Sequence, residues 1–243
     1  MRASRGKGFR ARGRAAAWRE SRRRAAPVLV AGAIALVGPA WARAEGSSST
    51  APPERHWVSV GAHTGWLQPD SKLADYQWDT SPRWTLGGEA LGGLGRFAAG
   101  LRVQRFETVQ ELGALATPPA AAVRATSSEA TAKVRVASVG RIDLLVTAGA
   151  GLLHLTYAPD RAQVDAGTGT PIAVTLRPID EWIGGVGVAF ERPIAGPWRT
   201  GLTLEQRVFS METAHRNGPD IERRSESFDG WSAKLGLAWR HSF

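Results

Sequence analysis

From residue 56 onward, apolar and polar side chains alternate along eight short segments of the chain. In the last segment, Trp231, Leu235 and Trp239 fall on one parity, whereas Lys234 and Arg240 fall on the other. Successive side chains of a strand point to opposite faces, so this pattern predicts strands with one apolar and one polar face. The predicted strands cover residues 56–68, 83–92, 96–106, 128–140, 142–157, 180–192, 197–210 and 226–243.

The connectors between these strands alternate in length. Three are tight, at residues 92–95, 140–141 and 192–197, and four are long, at residues 69–82, 107–127, 158–179 and 211–225. Short turns at one rim and long loops at the other are typical of an up-and-down barrel in a membrane. We therefore predict an all-β chain that forms an eight-stranded antiparallel up-and-down transmembrane β-barrel.

Aromatic residues gather near both ends of the predicted strands, where they suit the two interfaces of a bilayer. The predicted aromatic girdle comprises Trp57, Trp84, Trp182, Trp198, Trp231, Trp239 and Phe243. Trp57 is off the parity of Val58 and nine residues from Trp66, so both tryptophans face lipid only if the first strand carries a β-bulge. A soluble sandwich with these tryptophans in its core is the alternative.

The polar parity carries charges of both signs, which turn inward in a membrane barrel. Eight strands enclose a lumen that side chains can fill. Because buried charges need compensation, we predict a network of basic residues and glutamates that plugs the lumen. Its predicted members are Glu89, Arg102, Lys133, Arg135, Glu205, Arg207 and Lys234. A narrow gated conduit is the alternative.

The first 44 residues differ from the rest in charge. They hold 11 of the 31 basic residues and one of the 22 acidic residues, which leaves the other 199 residues with a net charge of −1. A basic segment, an apolar stretch and small residues in this order predict a signal peptide over residues 1–44, cleaved after Ala44 or Ala42. A flexible lead-in over residues 45–55 and the barrel over residues 56–243 follow.

Composition also excludes several classes of partner and site. Because all excess basic charge lies in the leader, no nucleic-acid partner is expected. The absence of cysteine excludes disulfides and thiolate metal sites. The five histidines are scattered without metal-ligand spacing, and no glycine pattern typical of nucleotide binding occurs. We therefore expect no metal and no cofactor.

Together these features resemble the small eight-stranded outer-membrane β-barrel proteins of Gram-negative bacteria. Apolar residues at nearly every second position back from Phe243 are similar to the C-terminal signal that the outer-membrane assembly machinery reads. The resemblance implies an outer-membrane location, contact with the lipid bilayer and lipopolysaccharide, and the assembly machinery as a partner. It also implies a non-enzymatic structural, binding or adhesion role for the long extracellular loops, whose ligand the sequence does not identify.

Two enzyme alternatives stay open, because some small outer-membrane barrels remodel lipid A. Residues 154–157 resemble the strand His-x-Ser-Asn motif of the lipid A deacylases, with Thr156 in place of Ser and Tyr157 in place of Asn. The sequence assigns no carboxylate to orient His154. In the last predicted loop, a palmitoyltransferase-like set can be assembled from His215, Asp220 and Ser225.

Overall fold

The computed structural model describes residues 56–165, 170–217 and 220–243, without the side chains of residues 214–222. The predicted signal peptide and lead-in lie outside the described residues. Within the described ranges, no helix is long and apolar enough to cross a membrane.

Eight strands close into one antiparallel barrel, which confirms the predicted fold. They are β1 (His56–Gln68), β2 (Arg83–Leu94), β3 (Phe97–Glu111), β5 (Ala120–Val139), β6 (Ile142–Ala158), β9 (Ile179–Ala195), β10 (Trp198–Asn217) and β11 (Asp220–Ser242). Each strand pairs with the next barrel strand along the chain, and β11 pairs with β1 to close the ring. Closure removes the unpaired edge that a terminal strand would otherwise expose.

The tight turns lie at one rim of the barrel. Each contains a glycine with a positive φ angle: Gly95 at 58°, Gly140 at 60° and Gly196 at 53°. Residues with side chains rarely adopt this left-handed conformation, so these glycines allow the chain to reverse within two residues.

The opposite rim carries more regular structure than the sequence predicts. Most of the loop predicted at residues 107–127 is strand, because β3 runs to Glu111 and β5 begins at Ala120. The loop predicted at residues 211–225 belongs instead to a two-stranded extension of β10 and β11 beyond the Gln206–Trp231 pair, which we call the ribbon, with paired residues as far as Asn217 and Asp220. Three short strands, β4 (Ala116–Thr117), β7 (Arg161–Val164) and β8 (Ile172–Thr175), form a separate small sheet from the second and third connectors.

The barrel interior has two layers of different character. Charged side chains fill the layer nearer the tight turns, and an apolar cluster fills the layer nearer the long connectors. The first connector contributes a short 3₁₀ helix, Ser71–Tyr76, whose Leu73 packs into the apolar cluster. Side chains thus occupy both layers of the interior, as expected of a barrel with eight strands.

Candidate functional site: the lumen and the outer face

Burial on the barrel strands is inverted relative to a soluble protein. Leu86 and Leu101 are 67% and 68% exposed on the outside, whereas Arg102 and Glu205 are 3% and 2% exposed inside. This pattern excludes the soluble sandwich, in which leucines would be buried and arginines exposed. A closed antiparallel barrel with an apolar exterior is the architecture of outer-membrane barrels, so the chain is an outer-membrane protein.

Aromatic side chains stand on the outer face near both ends of this apolar exterior. Toward the long connectors, Trp84, Trp182 and Trp231 are each about 60% exposed. Toward the tight turns, Trp198 and Trp239 are directly paired across β10 and β11. The last residue, Phe243, is 70% exposed at that rim, and its backbone N–H donates to the carbonyl of His56 at 3.0 Å. These positions are those that amphipathic rings occupy at the two lipid interfaces.

The assignment of Trp57 to the girdle is wrong. Strand β1 pairs with both neighbours without a register shift, so it has no bulge. Trp57 therefore shares the inward parity of Ser59 and His63, whereas Trp66 faces outward and packs against Trp84. Inside the barrel, the guanidinium of Arg240 lies 3.9 Å from the centre of a Trp57 ring, which is a cation–π contact at the turn rim.

Two glutamates and one arginine form the centre of the charged layer. Arg102 donates to Glu205 at 2.5 Å and to Glu129 at 2.7 Å, so its guanidinium bridges two carboxylates that lie on different strands. The three side chains are at most 3% exposed. Such charges are stable inside a protein only when they are paired. Ser127 adds a hydroxyl hydrogen bond to Glu129 at 2.7 Å.

Two further cations complete this centre. Arg207 forms an ion pair with Glu129 and lies 3.5 Å from Glu205. Lys234 donates to Glu205 at 2.5 Å. Gln104 accepts from Arg207 at 3.3 Å and from Lys234 at 3.4 Å, so it links the two cations. We call the group of three cations, two glutamates and Gln104 the central network.

A second, balanced group lies closer to the tight turns. Lys133 donates to Glu89 at 2.6 Å and lies 3.5 Å from Glu191, which also accepts from Arg240 at 2.8 Å. The prediction for Arg135 is wrong: β5 and β6 shift register beside it, and its side chain is 43% exposed. The guanidinium of Arg135 lies at the turn rim, 3.9 Å from the carboxylate of Asp143, which also pairs with Arg199. Arg135 is therefore not part of the buried network.

Five charged residues of the interior were not predicted from the sequence as members of the network. Glu129, Glu191 and Arg240 belong to the two groups, whereas Asp143 and Arg199 pair with each other at the turn rim. All five lie on inward positions of the barrel strands, so parity alone could have found them.

The mouth of the barrel is held by polar contacts of the 3₁₀ helix. The Asp70 carboxylate accepts from the backbone N–H groups of Lys72 at 3.0 Å and Asp229 at 3.2 Å. Burial opposes its charged form, but these donors and the Lys72 ammonium outweigh burial and lower the Asp70 pKa below its ordinary value. At the other end, Tyr76 donates to Glu226 at 2.7 Å, and burial together with this carboxylate raises the pKa of Tyr76.

The outer face carries a polar pair just beyond the girdle. His154 Nδ1 lies 2.6 Å from Asp180 Oδ1 across β6 and β9, and the pair next to it toward the membrane is Leu152 with Trp182. The carboxylate that the sequence did not assign to His154 is therefore Asp180. Thr156 follows on the same face, with its hydroxyl directed at the carbonyl of Arg124 at 3.5 Å. Of the alternative set in the ribbon, the side chains of His215 and Asp220 lie outside the described residues.

Comparison with known proteins gives weak similarity to solved barrel structures. No protein-family model matches the chain, and no curated protein is similar enough in sequence to count as a match. Neisserial surface protein A is 11% identical, with 76% of this chain and 96% of that chain covered and a TM-score of 0.44. A major outer membrane protein from Thermus thermophilus is 12% identical, with 76% and 99% covered and a TM-score of 0.42. The attachment invasion locus protein Ail of Yersinia pestis is 13% identical, with 78% and 99% covered and a TM-score of 0.38. Likeness at this level leaves the function to be argued from the chain's own residues.

Proposed function

We propose that this outer-membrane barrel is a non-enzymatic binding protein with a plugged lumen, and that the strands and loops beyond the rim of the long connectors contact its binding partners. The observation that carries the proposal is the central network. Arg102 bridges Glu129 and Glu205 across the lumen, and Lys234 and Arg207 pair with the same two carboxylates. A solute on its way through would have to separate ion pairs that are almost completely removed from water.

Conductance in planar bilayers tests the plug. The wild-type barrel is expected to give no discrete openings. The double variant Arg102→Ala with Glu129→Ala removes a cation and an anion together, so the net charge is kept while the lumen is opened, and it is expected to conduct. The matched control is Arg105→Ala with Glu107→Ala, which removes an exposed ion pair of 2.6 Å from the outer face. Discrete openings of the wild-type barrel would refute the plug.

Exposed arginines on the outer face beyond the girdle support lipopolysaccharide as one ligand. Arg105 and Arg124 both lie against Glu107, at 2.6 and 3.2 Å, so two guanidinium groups share one carboxylate on an exposed surface. Arginine binds phosphate through two parallel hydrogen bonds, and the remaining positive charge suits the phosphates of lipid headgroups. The double variant Arg105→Gln with Arg124→Gln is expected to bind phosphorylated lipopolysaccharide more weakly than wild type, with no change for the dephosphorylated form.

A second candidate, lipid ester hydrolysis, is favoured by the His154–Asp180 pair. Asp180 holds Nδ1 of the imidazole, which leaves Nε2 as a general base, and Thr156 is a hydroxyl nucleophile two positions along the same face. The pair lies next to the girdle, close to the level at which acyl chains join lipid headgroups. Against this candidate, the Thr156 hydroxyl is directed at a backbone carbonyl rather than at the imidazole.

Mass spectrometry of lipid A separates the two candidates. Cells with and without the protein are expected to show the same acyl chains under the binding proposal. If acyl chains are lost with wild type and retained with His154→Ala and Asp180→Asn, the protein is an enzyme. Arg124→Gln, a polar change beside the same site, controls for altered lipid contact.

A further inference from the structure

The charged layer of the lumen contains a cavity between the central network and the tight turns, which we call the turn-side vestibule. Gly201 and Gly236 are directly paired across β10 and β11 and line this cavity, so two neighbouring positions of the inner wall carry no side chain. The cavity volume is about 40 Å³, and one water needs roughly 10–15 Å³ by the same measure. The vestibule therefore has room for about three waters, or for one monatomic ion with water, but not for an organic molecule of several heavy atoms.

Charged side chains line the vestibule, and their exposure to water falls with depth. The side chain of Arg199 is 24% exposed near the tight turns, that of Glu89 is 18% exposed and that of Lys133 is 6% exposed. At the bottom, the side chains of Lys234 and Arg102 are each 3% exposed. The vestibule is therefore a blind space that water reaches from the turn rim and that the central network closes.

The bottom of the vestibule has more hydrogen-bond donors than acceptors. His63 Nε2 and Arg102 Nε are buried and find no hydrogen-bond partner in the part of the chain that the structure describes. His63 is 9% exposed, and with its proton on Nε2 the neutral imidazole is a donor. Lys234 donates to Glu205 and Gln104, which leaves one of its three N–H groups. A buried donor without an acceptor destabilises the fold, so an acceptor placed here would be held favourably.

The charges of the interior give the sign of such an acceptor. Along the described barrel strands, the ion-paired side chains that point inward comprise six cations and five carboxylates, apart from Arg135, which is 43% exposed at the rim. The cations are Arg102, Lys133, Arg199, Arg207, Lys234 and Arg240, and the carboxylates are Glu89, Glu129, Asp143, Glu191 and Glu205. Each of these carboxylates already pairs with at least one cation. One positive charge is left over, and an anion compensates it whereas water does not.

We propose that the turn-side vestibule binds one small monovalent inorganic anion, such as chloride, on His63, Arg102 and Lys234. The anion supplies the acceptor that these donors lack and the negative charge that the interior lacks. It enters from the turn rim, because the central network closes the other side. The inference goes beyond the binding role of the outer strands and loops, since it needs only the vestibule and the charges around it.

Urea unfolding in lipid vesicles tests the site when chloride is exchanged for gluconate at constant ionic strength. Gluconate has the same charge as chloride but is too large for the vestibule. Once chloride exceeds its dissociation constant, a tenfold increase in chloride is expected to raise the folding equilibrium constant of wild type about tenfold, as one bound ion requires. A folding equilibrium constant that does not change across the exchange would overturn the proposal.

Two glycine-to-alanine variants locate this effect. Gly236→Ala places a methyl group in the vestibule, where the added Cβ lies 3.5 Å from the nearest atom, so the barrel can accommodate it. Gly184→Ala is the matched control, because Gly184 shares the outward parity of Trp182 and its added Cβ lies 3.6 Å from the nearest atom. We expect Gly236→Ala to need at least tenfold more chloride than Gly184→Ala for the same stabilisation. Equal chloride dependence in the two variants would mean that the ion binds elsewhere and would overturn the proposal.

Crystals grown with bromide in place of chloride test the position of the ion without any variant. An anomalous bromide peak is expected in the vestibule beside His63 and Lys234. Peaks confined to the outer surface would mean an adventitious ion only, and density without anomalous signal in the vestibule would mean that water alone fills it. Either of these two outcomes would overturn the proposal.

Discussion

Neutralising Glu205 is the sharpest test of the central network. The Glu205 carboxylate is 2% exposed and accepts from Arg102 and Lys234, each at 2.5 Å. Glu205→Gln keeps the shape of the side chain but removes its charge, so two buried cations lose their shared partner. Removing one member of a buried ion pair costs about 3–5 kcal/mol. We expect a loss of about this size in the free energy of unfolding, which is more than a hundredfold in the folding equilibrium.

Urea unfolding in lipid vesicles, followed by tryptophan fluorescence, measures this loss. The matched control is Glu107→Gln, which neutralises a glutamate that also contacts two arginines but whose side chain is 59% exposed. Exposed pairs of this kind contribute about 0–1 kcal/mol. If the two variants unfold with the same free energy, burial of the network does not stabilise the barrel and the reasoning fails.

A double variant separates charge from packing at the same position. Glu205→Gln together with Lys234→Met removes one anion and one cation, so fewer buried charges lack a partner than in Glu205→Gln alone. Replacing a buried pair by uncharged groups is often neutral or stabilising. We therefore expect the double variant to be more stable than Glu205→Gln, and additive losses would argue that the two groups do not interact.

Three further predictions concern the outer face, the chain end and the mouth. Leu235→Arg places a charge on the lipid-facing side of β11 and should lower the free energy of unfolding by about 2–4 kcal/mol near the bilayer midplane, measured by the same unfolding assay. Ser227→Arg on the exposed ribbon should lower it little, and equal losses would mean that Leu235 does not face the hydrocarbon core of the bilayer. Deleting Phe243 removes an exposed ring and a backbone hydrogen bond to His56, so assembly-dependent insertion into membranes should fall, and an unchanged yield would contradict this. The pKa of Asp70 is lowered in the folded protein from its ordinary value of 3.8, so its stabilisation of the 3₁₀ helix is present above that ordinary value and is lost as the pH falls through the lower folded pKa. The protection factors of the amides in residues 69–78, which are corrected for the intrinsic pH dependence of hydrogen exchange, should therefore fall in acid for wild type. In Asp70→Asn they should already be low at neutral pH, and equal protection in both proteins would show that Asp70 does not stabilise the helix.

The alternation of side chains was sufficient to predict the barrel, because lipid outside and charge inside impose a period of two on every strand. The same rule gave a wrong prediction for the parts of the strands that extend beyond the membrane. On β5, Lys133 and Glu129 point inward within the bilayer, and Val123 points inward above it, where the outside is water. Polar and apolar faces therefore exchange along one strand, and the sequence reads as a loop where the strand continues.

Three details of the site were not predicted from the sequence, each for a different reason. The register shift beside Arg135 is a backbone feature that leaves no mark in the order of apolar and polar residues. Trp57 was placed by residue type, since tryptophans favour lipid interfaces, whereas its parity puts it inside. The contact between His154 and Asp180 depends on which strands are neighbours and on their register, and neither is visible in the spacing of the two residues along the chain.

The ribbon continues for eleven residues beyond Gln206, the position paired with Trp231 in the girdle. At about 3.4 Å per residue, this is about 37 Å along the strand. Both of its strands also belong to the barrel wall, so a force on the ribbon acts directly on the membrane-embedded barrel. The tip of the ribbon is therefore held away from the membrane, and paired deletions beyond the Met211–Glu226 pair would shorten it in steps while leaving the residues that pack inside the barrel in place.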